Sequence, residues 1–295
     1  MLNSLYSGIT GMKGQQTKMD VIANNIANVN TTGFKSQRVR FQDMISQMNV
    51  NAQGPNNNGR GGINAQQVGL GTSVSSTDMM MQGGSLQFTG RALDFGIQNG
   101  DNSFFIVSPD GSPDGTMQYT RDGGFYTDFE GNLTTSNGSR VMGIANTPPA
   151  QDNGNVDMGI NDNQALRPLS IPQTVNGFQL QDYNIDNTGT ILGTYSDGNA
   201  YVIGRVALAN FANADGLEKA GENLYNASAN SGEPVEGGPT DNGYGTIRSG
   251  FMEMSNVDLA TEFTEMIVTT RAYQANSRSI TTSDEMLQEL INLKR

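Results

Sequence analysis

Five aspartates, Asp110, Asp114, Asp122, Asp197 and Asp215, are each followed directly by glycine. Such carboxylates are the first candidates for acid–base or metal chemistry, because the chain has no histidine and no cysteine. Thiol and imidazole nucleophiles, disulfides and Cys/His zinc sites are therefore excluded. A calcium loop needs alternating oxygen ligands, glycine at its sixth place and glutamate at its twelfth, and Asp110 to Asp114 offers no such series. A glycoside hydrolase needs two opposed carboxylates, yet no spacing singles out a pair, and tryptophan is absent from any sugar platform. Asp-Gly is foremost a turn signal. No enzymatic activity, metal or cofactor is expected.

Phosphate-binding signals are equally weak. The stretch Gln53 to Gly62 (QGPNNNGRGG) lacks the Lys-Ser/Thr ending of a phosphate loop, and Gly69-Leu70-Gly71 lacks a third glycine at the dinucleotide spacing. With 17 basic against 29 acidic residues the net charge is -12. Nucleic acid is thus an improbable partner. No apolar run approaches a bilayer span and none follows Met1, so neither membrane insertion nor a cleaved leader is expected.

What remains is architecture. Leu5, Met12, Met19 and Ile26 recur every seven residues, and Leu2, Ile9, Gln16 and Ala23 fill the interleaved lane. At the other end Leu259, Met266, Tyr273, Ile280 and Leu287 repeat the pattern, with a second lane of Phe263, Thr270, Ser277, Asp284 and Ile291. Both stripes predict helices of coiled-coil type. Ser255 is placed to cap the second helix, with Asp258 three residues on. The apolar stripe of either helix falls short of the entropy needed to order it alone, and Gly8, Gly11 and Gly14 weaken the first further. Each helix is expected to order only against partners, either the other helix or other chains.

Between the ends, Thr31-Thr32-Gly33 reads as a helix stop, and 31–71 as a connecting segment with a flexible linker at Gln53 to Gly62. Over 72–254 the periodicity shortens to two. Strands are predicted at Phe104 to Val107, Gln118 to Thr120, Phe125 to Thr127, Arg140 to Ile144, Ile191 to Tyr195 and Tyr201 to Ala209, joined by turn-forming dipeptides. An irregular interruption is expected at about 146–173. The fold class is therefore α+β: a discontinuous helical coiled-coil domain (1–30 with 255–295) and a central all-β domain.

The run Ala23-Asn24-Asn25-Ile26-Ala27-Asn28-Val29-Asn30-Thr31-Thr32-Gly33-Phe34-Lys35 resembles the N-terminal signature of bacterial flagellar rod and hook proteins. Ser255-Asn256-Val257-Asp258-Leu259 and Met266 to Tyr273 resemble the paired C-terminal segment of that family. Inside, Thr89 to Asp94, Tyr119 to Gly123 and Val206 to Asn213 with Gly221 to Tyr225 are similar too, the last pair looking most like the hook branch. The resemblance implies terminal helices forming an inner layer around a channel, a β domain outside, and export through the flagellar type III apparatus without a cleaved signal. It further implies a homopolymer meeting rod, hook–filament junction and hook cap proteins. The expected subunit interface is Leu2, Leu5, Ile9, Met12, Met19, Ile26, Leu259, Phe263, Met266, Tyr273, Ile280, Leu287 and Ile291. A short hook subunit, a flexible joint passing torque from rod to filament, is the first expectation. A segment between Gln47 and Val68 resembles an insertion of the distal rod, which is the nearest alternative, with a secreted binding module behind it.

Overall fold

The structure, a computed structural model, describes residues 2–55, 61–112, 115–151, 165–241 and 243–293. Leu2–Ala27 forms helix α1 and Leu259–Leu293 forms helix α2. Past Ala27 the chain turns, with Thr31 N donating to Asn28 O at 3.1 Å, and reaches Gly33 at φ +66. The stop thus lies several residues beyond the helix. Helix α2 starts later than expected: Asp258, not Ser255, is its cap, accepting from Ala260 N at 3.2 Å and from Thr261 Oγ1 at 2.6 Å.

Two compact units arise. One comprises Met1–Ala27, Gln37–Asp78 and Asp258–Arg295; the other comprises Asn28–Ser36 and Met79–Val257. In the first unit α1 packs along α2, and the glycines set how closely. A Cβ on Gly8 would lie 3.0 Å from Ile280 Cγ1, and one on Gly11 would lie 2.7 Å from Asn276 Nδ2. The facing stripe of α2 therefore runs through Glu262, Thr269, Asn276 and Ser283, where Thr269 and Ser283 are buried, beside Met266, Ile280 and Leu287. Toward α1, α2 thus turns the lane one residue before the expected second lane, of which Phe263 and Ile291 are exposed in the single chain. Gly11 makes room for the Asn276 amide and Gly8 for Ile280, whereas an apolar count alone favours the neighbouring lane.

The segment expected as a connector, 31–71, is instead partly strand. In the first unit β1 (Gln37–Asp43) pairs with β4 (Thr72–Met79), and β2 (Gln47–Val50) pairs antiparallel with β3 (Gln66–Val68), matching Gln47 with Val68. Gln53 and Ile63 extend this ribbon as a bridge, N to O at 3.0 and 2.9 Å. Every residue of β2 and β3 is exposed. The centre of the predicted flexible linker, 56–60, lies outside the described residues.

Among the described residues, the second unit is built on a 14-stranded sheet. Its strand Ser103–Ser108 is buried throughout, and period two divides its side chains. Phe105 and Val107 join a cluster with Phe95, Phe125, Val141 and Val206, while Phe104 and Ile106 join another with Tyr119, Met142 and Phe211. That is why 104–107 reads as an unbroken apolar run. The predicted strands are found, but the interruption begins later than expected. Strand Arg140–Gln151 continues through Asn146, pairs with Ala200–Val206, and absorbs its prolines at a register shift between Ala145 and Ala150. Residues 152–164 of that interval are outside the described set. Two short ladders tie in the C-terminal segment: Thr246–Ser249 pairs with Phe95–Gln98, and Phe251–Glu253 pairs with Leu86–Phe88.

Candidate assembly junction

The deepest polar site in the β unit joins three distant pieces of chain. Lys35, Arg121 and Glu253 are all essentially buried. Lys35 Nζ donates to Glu253 Oε1 at 2.6 Å and to Gln82 O at 2.8 Å. Arg121 Nη1 donates to Glu253 Oε2 at 3.0 Å, Nη2 reaches the carbonyls of Gly100 and Asp101, and the guanidinium stacks 5.1 Å from the Phe104 ring centre. Gly84 N completes the shell of the carboxylate at 2.9 Å. One anion thus holds two cations.

Burial alone would raise the Glu253 carboxyl, but Arg121 and Lys35, with the hydrogen bonds from Lys35 and Gly84, hold it below the ordinary carboxylate range. Sequestered so, it has no access to a substrate. Backbone bonds lock the same pieces. Gly33 N donates to Glu253 O at 2.9 Å, Ser36 N to Asn256 Oδ1 at 2.8 Å, and Asn256 Nδ2 to Met80 O at 2.8 Å. Gly33 is obligatory on two counts, since its φ is positive and a Cβ would stand 2.7 Å from Asp122 N. Phe34 lies under the Lys219 ammonium at 4.7 Å, and Thr32 Oγ1 donates to Asp122 Oδ1 at 3.0 Å.

The other signature residues serve the helical unit. Asn25 is 1% exposed; its amide donates to Gln37 O at 2.8 Å and Glu262 Oε1 at 3.0 Å, and accepts from Gln37 N at 3.0 Å. It clips β1 and α2 onto α1. Asn28 Oδ1 accepts from Thr31 Oγ1 in the turn, Ser255 Oγ accepts from Val257 N at 3.3 Å, and Val257 is half-buried. Ala23 and Asn24 lie on the exposed side of α1.

Among the described residues no cluster of three or more metal-ligating side chains occurs, and no helix is long and apolar enough to cross a membrane. Of the Asp-Gly carboxylates, Asp197 accepts from Asn199 N at 3.0 Å and Tyr201 OH at 2.7 Å as a turn residue, Asp122 serves Thr32, and Asp114 lies outside the described residues.

Three family models match segments of the chain in order. "Flagella basal body rod protein" matches 5–35, "Flagellar hook protein FlgE/F/G D1 domain" matches 99–193, and "Flagellar basal body rod FlgEFG protein C-terminal" matches 248–293. The flagellar basal-body rod protein FlgG of Bacillus subtilis (strain 168) is 45% identical over 296 residues, covering all of both chains. This chain belongs to the flagellar rod and hook protein family. The FlgG of Borreliella burgdorferi is 35% identical over 296 residues, and the flagellar hook protein FlgE of the same organism is 32% identical over 448, each again end to end. Members of the family are structural components of the flagellum, not enzymes. The matched terminal segments carry the signature residues, and three of those, Gly33, Lys35 and Asn256, bond within the junction just described.

Of the expected interface residues, Leu5, Met12, Met19, Ile26, Met266, Ile280 and Leu287 are half-buried, and Ile9, Leu259, Phe263, Tyr273 and Ile291 are exposed. Leu2 begins α1. Sequence reasoning missed Arg121 and Glu253. Both carry a signal: Arg121 lies inside the quoted motif Tyr119 to Gly123, and Glu253 is an acid between two methionines, Met252 and Met254, in an otherwise apolar strand.

Proposed function

We propose that the chain is the subunit of a distal-rod-type tube, a stiff axial segment of the flagellum assembled from many copies. The observation that carries this is the end-to-end correspondence with rod relatives: the alignments with the Bacillus subtilis and Borreliella burgdorferi FlgG run over 296 positions against 295 residues here, while that with the Borreliella burgdorferi hook protein runs over 448. In this proposal α1 and α2 line the inner layer as coiled coils with those of neighbouring copies. The exposure of Ile9, Phe263, Ile267, Val268 and Ile291 supports it, since such an apolar set calls for a partner. The exposed β2–β3 ribbon would lie between subunits and resist bending. Rod, hook-cap and junction proteins would be its neighbours along the axis, and the flagellar export apparatus would deliver it.

A short hook subunit is the second reading, favoured by the motifs Val206 to Asn213 and Gly221 to Tyr225. Nanogold coupled to Asn137→Cys, on an exposed turn of a chain without other cysteines, separates them by electron microscopy of isolated basal bodies. Gold on the straight shaft is the expected result. Gold along the curved segment returns the hook, and its absence from both, with the label accessible on the free chain, removes the axial role.

A further inference from the structure

Phe129 is 99% exposed at the tip of a hairpin between the short strands Tyr126–Thr127 and Leu133–Thr134. The tip is rigid. Asp128 Oδ1 accepts from Glu130 N at 2.9 Å and Asn132 N at 2.7 Å, Oδ2 accepts from Asn132 Nδ2 at 2.9 Å, and Gly131 N donates to Asp128 O at 3.0 Å. Gly131 O in turn accepts from Ile171 N at 2.7 Å. An aromatic side chain is thus presented to water on a preorganised turn, flanked by the carboxylates of Asp128 and Glu130. The hydrogen bonds from Asn132 hold Asp128 below the ordinary range, so the tip stays negative.

The same unit carries a matching recess. A groove of about 710 Å³ is lined by Leu86, Ile97, Gln98, Asp101, Arg248 and Phe251. Phe251 packs edge-on against the exposed Phe88 at 5.3 Å, and the Arg248 guanidinium stands 5.7 Å from the Phe251 ring centre. Asp101 Oδ1 accepts from Gly83 N at 3.1 Å, whereas Arg248 forms no salt bridge among the described residues. The recess has one aromatic wall, Phe251, among mostly polar residues, its carboxylate Asp101 is tied to Gly83, and Arg248, without a salt bridge among the described residues, is the cation it offers to a knob with two anions. Phe129 does not fill the groove of its own copy, as its exposure demonstrates.

We propose that the Asp128–Asn132 tip of one copy docks into the Leu86–Arg248–Phe251 groove of the next. Phe129 extends the Phe88–Phe251 aromatic pair, and Asp128 and Glu130 face Arg248. Knob and groove are different surfaces, so the contact is heterologous and propagates into an open helix rather than closing as a dimer. It rests on the polymer reading above and names a contact within it.

The test exploits the absence of cysteine. The full chain carrying Glu130→Cys and Arg248→Cys is expressed in cells lacking their own copy, axial structures are isolated and oxidised, and products are run without reductant. The expected result is a ladder from dimer upward for the double variant and dimers alone for a mixture of the two single variants. Phe129→Ala in the same background should cut the yield about tenfold, as loss of a buried aromatic anchor does. Axial structures that form but give no ladder overturn the contact and leave the polymer standing. The unsubstituted chain recovered only as monomers outside any axial structure defeats the polymer reading itself. Independently, Arg248→Glu should lose assembly and Glu130→Arg should restore it; failure of that exchange overturns the pairing.

Discussion

At the scale of single residues the buried triad makes unequal demands on its members. Removing the anion by Glu253→Gln leaves two cations facing each other in a dry interior, and breaking a buried pair in this way costs about 3–5 kcal/mol. Lys35→Met leaves a matched Arg121–Glu253 pair and a side chain of similar length, so it should cost less than half as much. Urea unfolding of both variants checks the order, and an equal loss would deny Glu253 its central place. The carboxyl also sets a pH response. Its folded value is depressed, so its contribution is fully present above the ordinary glutamate value of 4.5 and fades as pH falls through the lower folded value. The urea midpoint of the native chain should drop in that acidic window, and Glu253→Gln should lack this part of the drop.

At the scale of elements, the helices were legible because a seven-residue period survives any partner, and the strands because Asp-Gly and Asn-Gly turns punctuate a two-residue period. The lane that α2 turns toward α1 was not legible. Thr269, Asn276 and Ser283 look like surface until α1, with Gly11 against Asn276, is known to lie on them, and an apolar pattern scores apolar side chains rather than close approach. Gly11→Val tests the point: a branched side chain would overlap Asn276, and overpacking of this kind costs about 1–3 kcal/mol despite the gain in helix propensity. Hydrogen exchange should show α2 amides near Asn276 losing protection, and unchanged protection would mean that the two helices do not depend on that seat. Ile26→Asp and Leu287→Asp add a charge to half-buried sites that the proposed inner layer would bury fully. Secretion of the chain should persist while axial structures disappear, and normal structures from either variant would remove these residues from the interface.

At the scale of the whole molecule, the junction shows what one sequence could and could not disclose. Lys35 and Asn256 stood out through family resemblance, but their partners Glu253, Gln82 and Met80 come from elsewhere in the chain, and only the fold brings them together. The same holds for the β2–β3 ribbon, where a polar, glycine-rich stretch looked like slack and proves to be framed by paired strands. That ribbon separates folding from mechanics. Its residues are exposed and contribute nothing to the hydrophobic clusters of the β unit, so deleting Asn51 to Ala65 should shift the stability of the chain by no more than a typical surface change, about 0.5 kcal/mol. In assembled structures the outcome should differ. If the ribbon braces neighbouring subunits, the deletion yields a shaft that bends or supercoils in electron micrographs while the free chain remains as stable as before. A straight shaft of native stiffness would show that rigidity resides in the helices alone, and a destabilised free chain would place the ribbon in the fold rather than in the assembly.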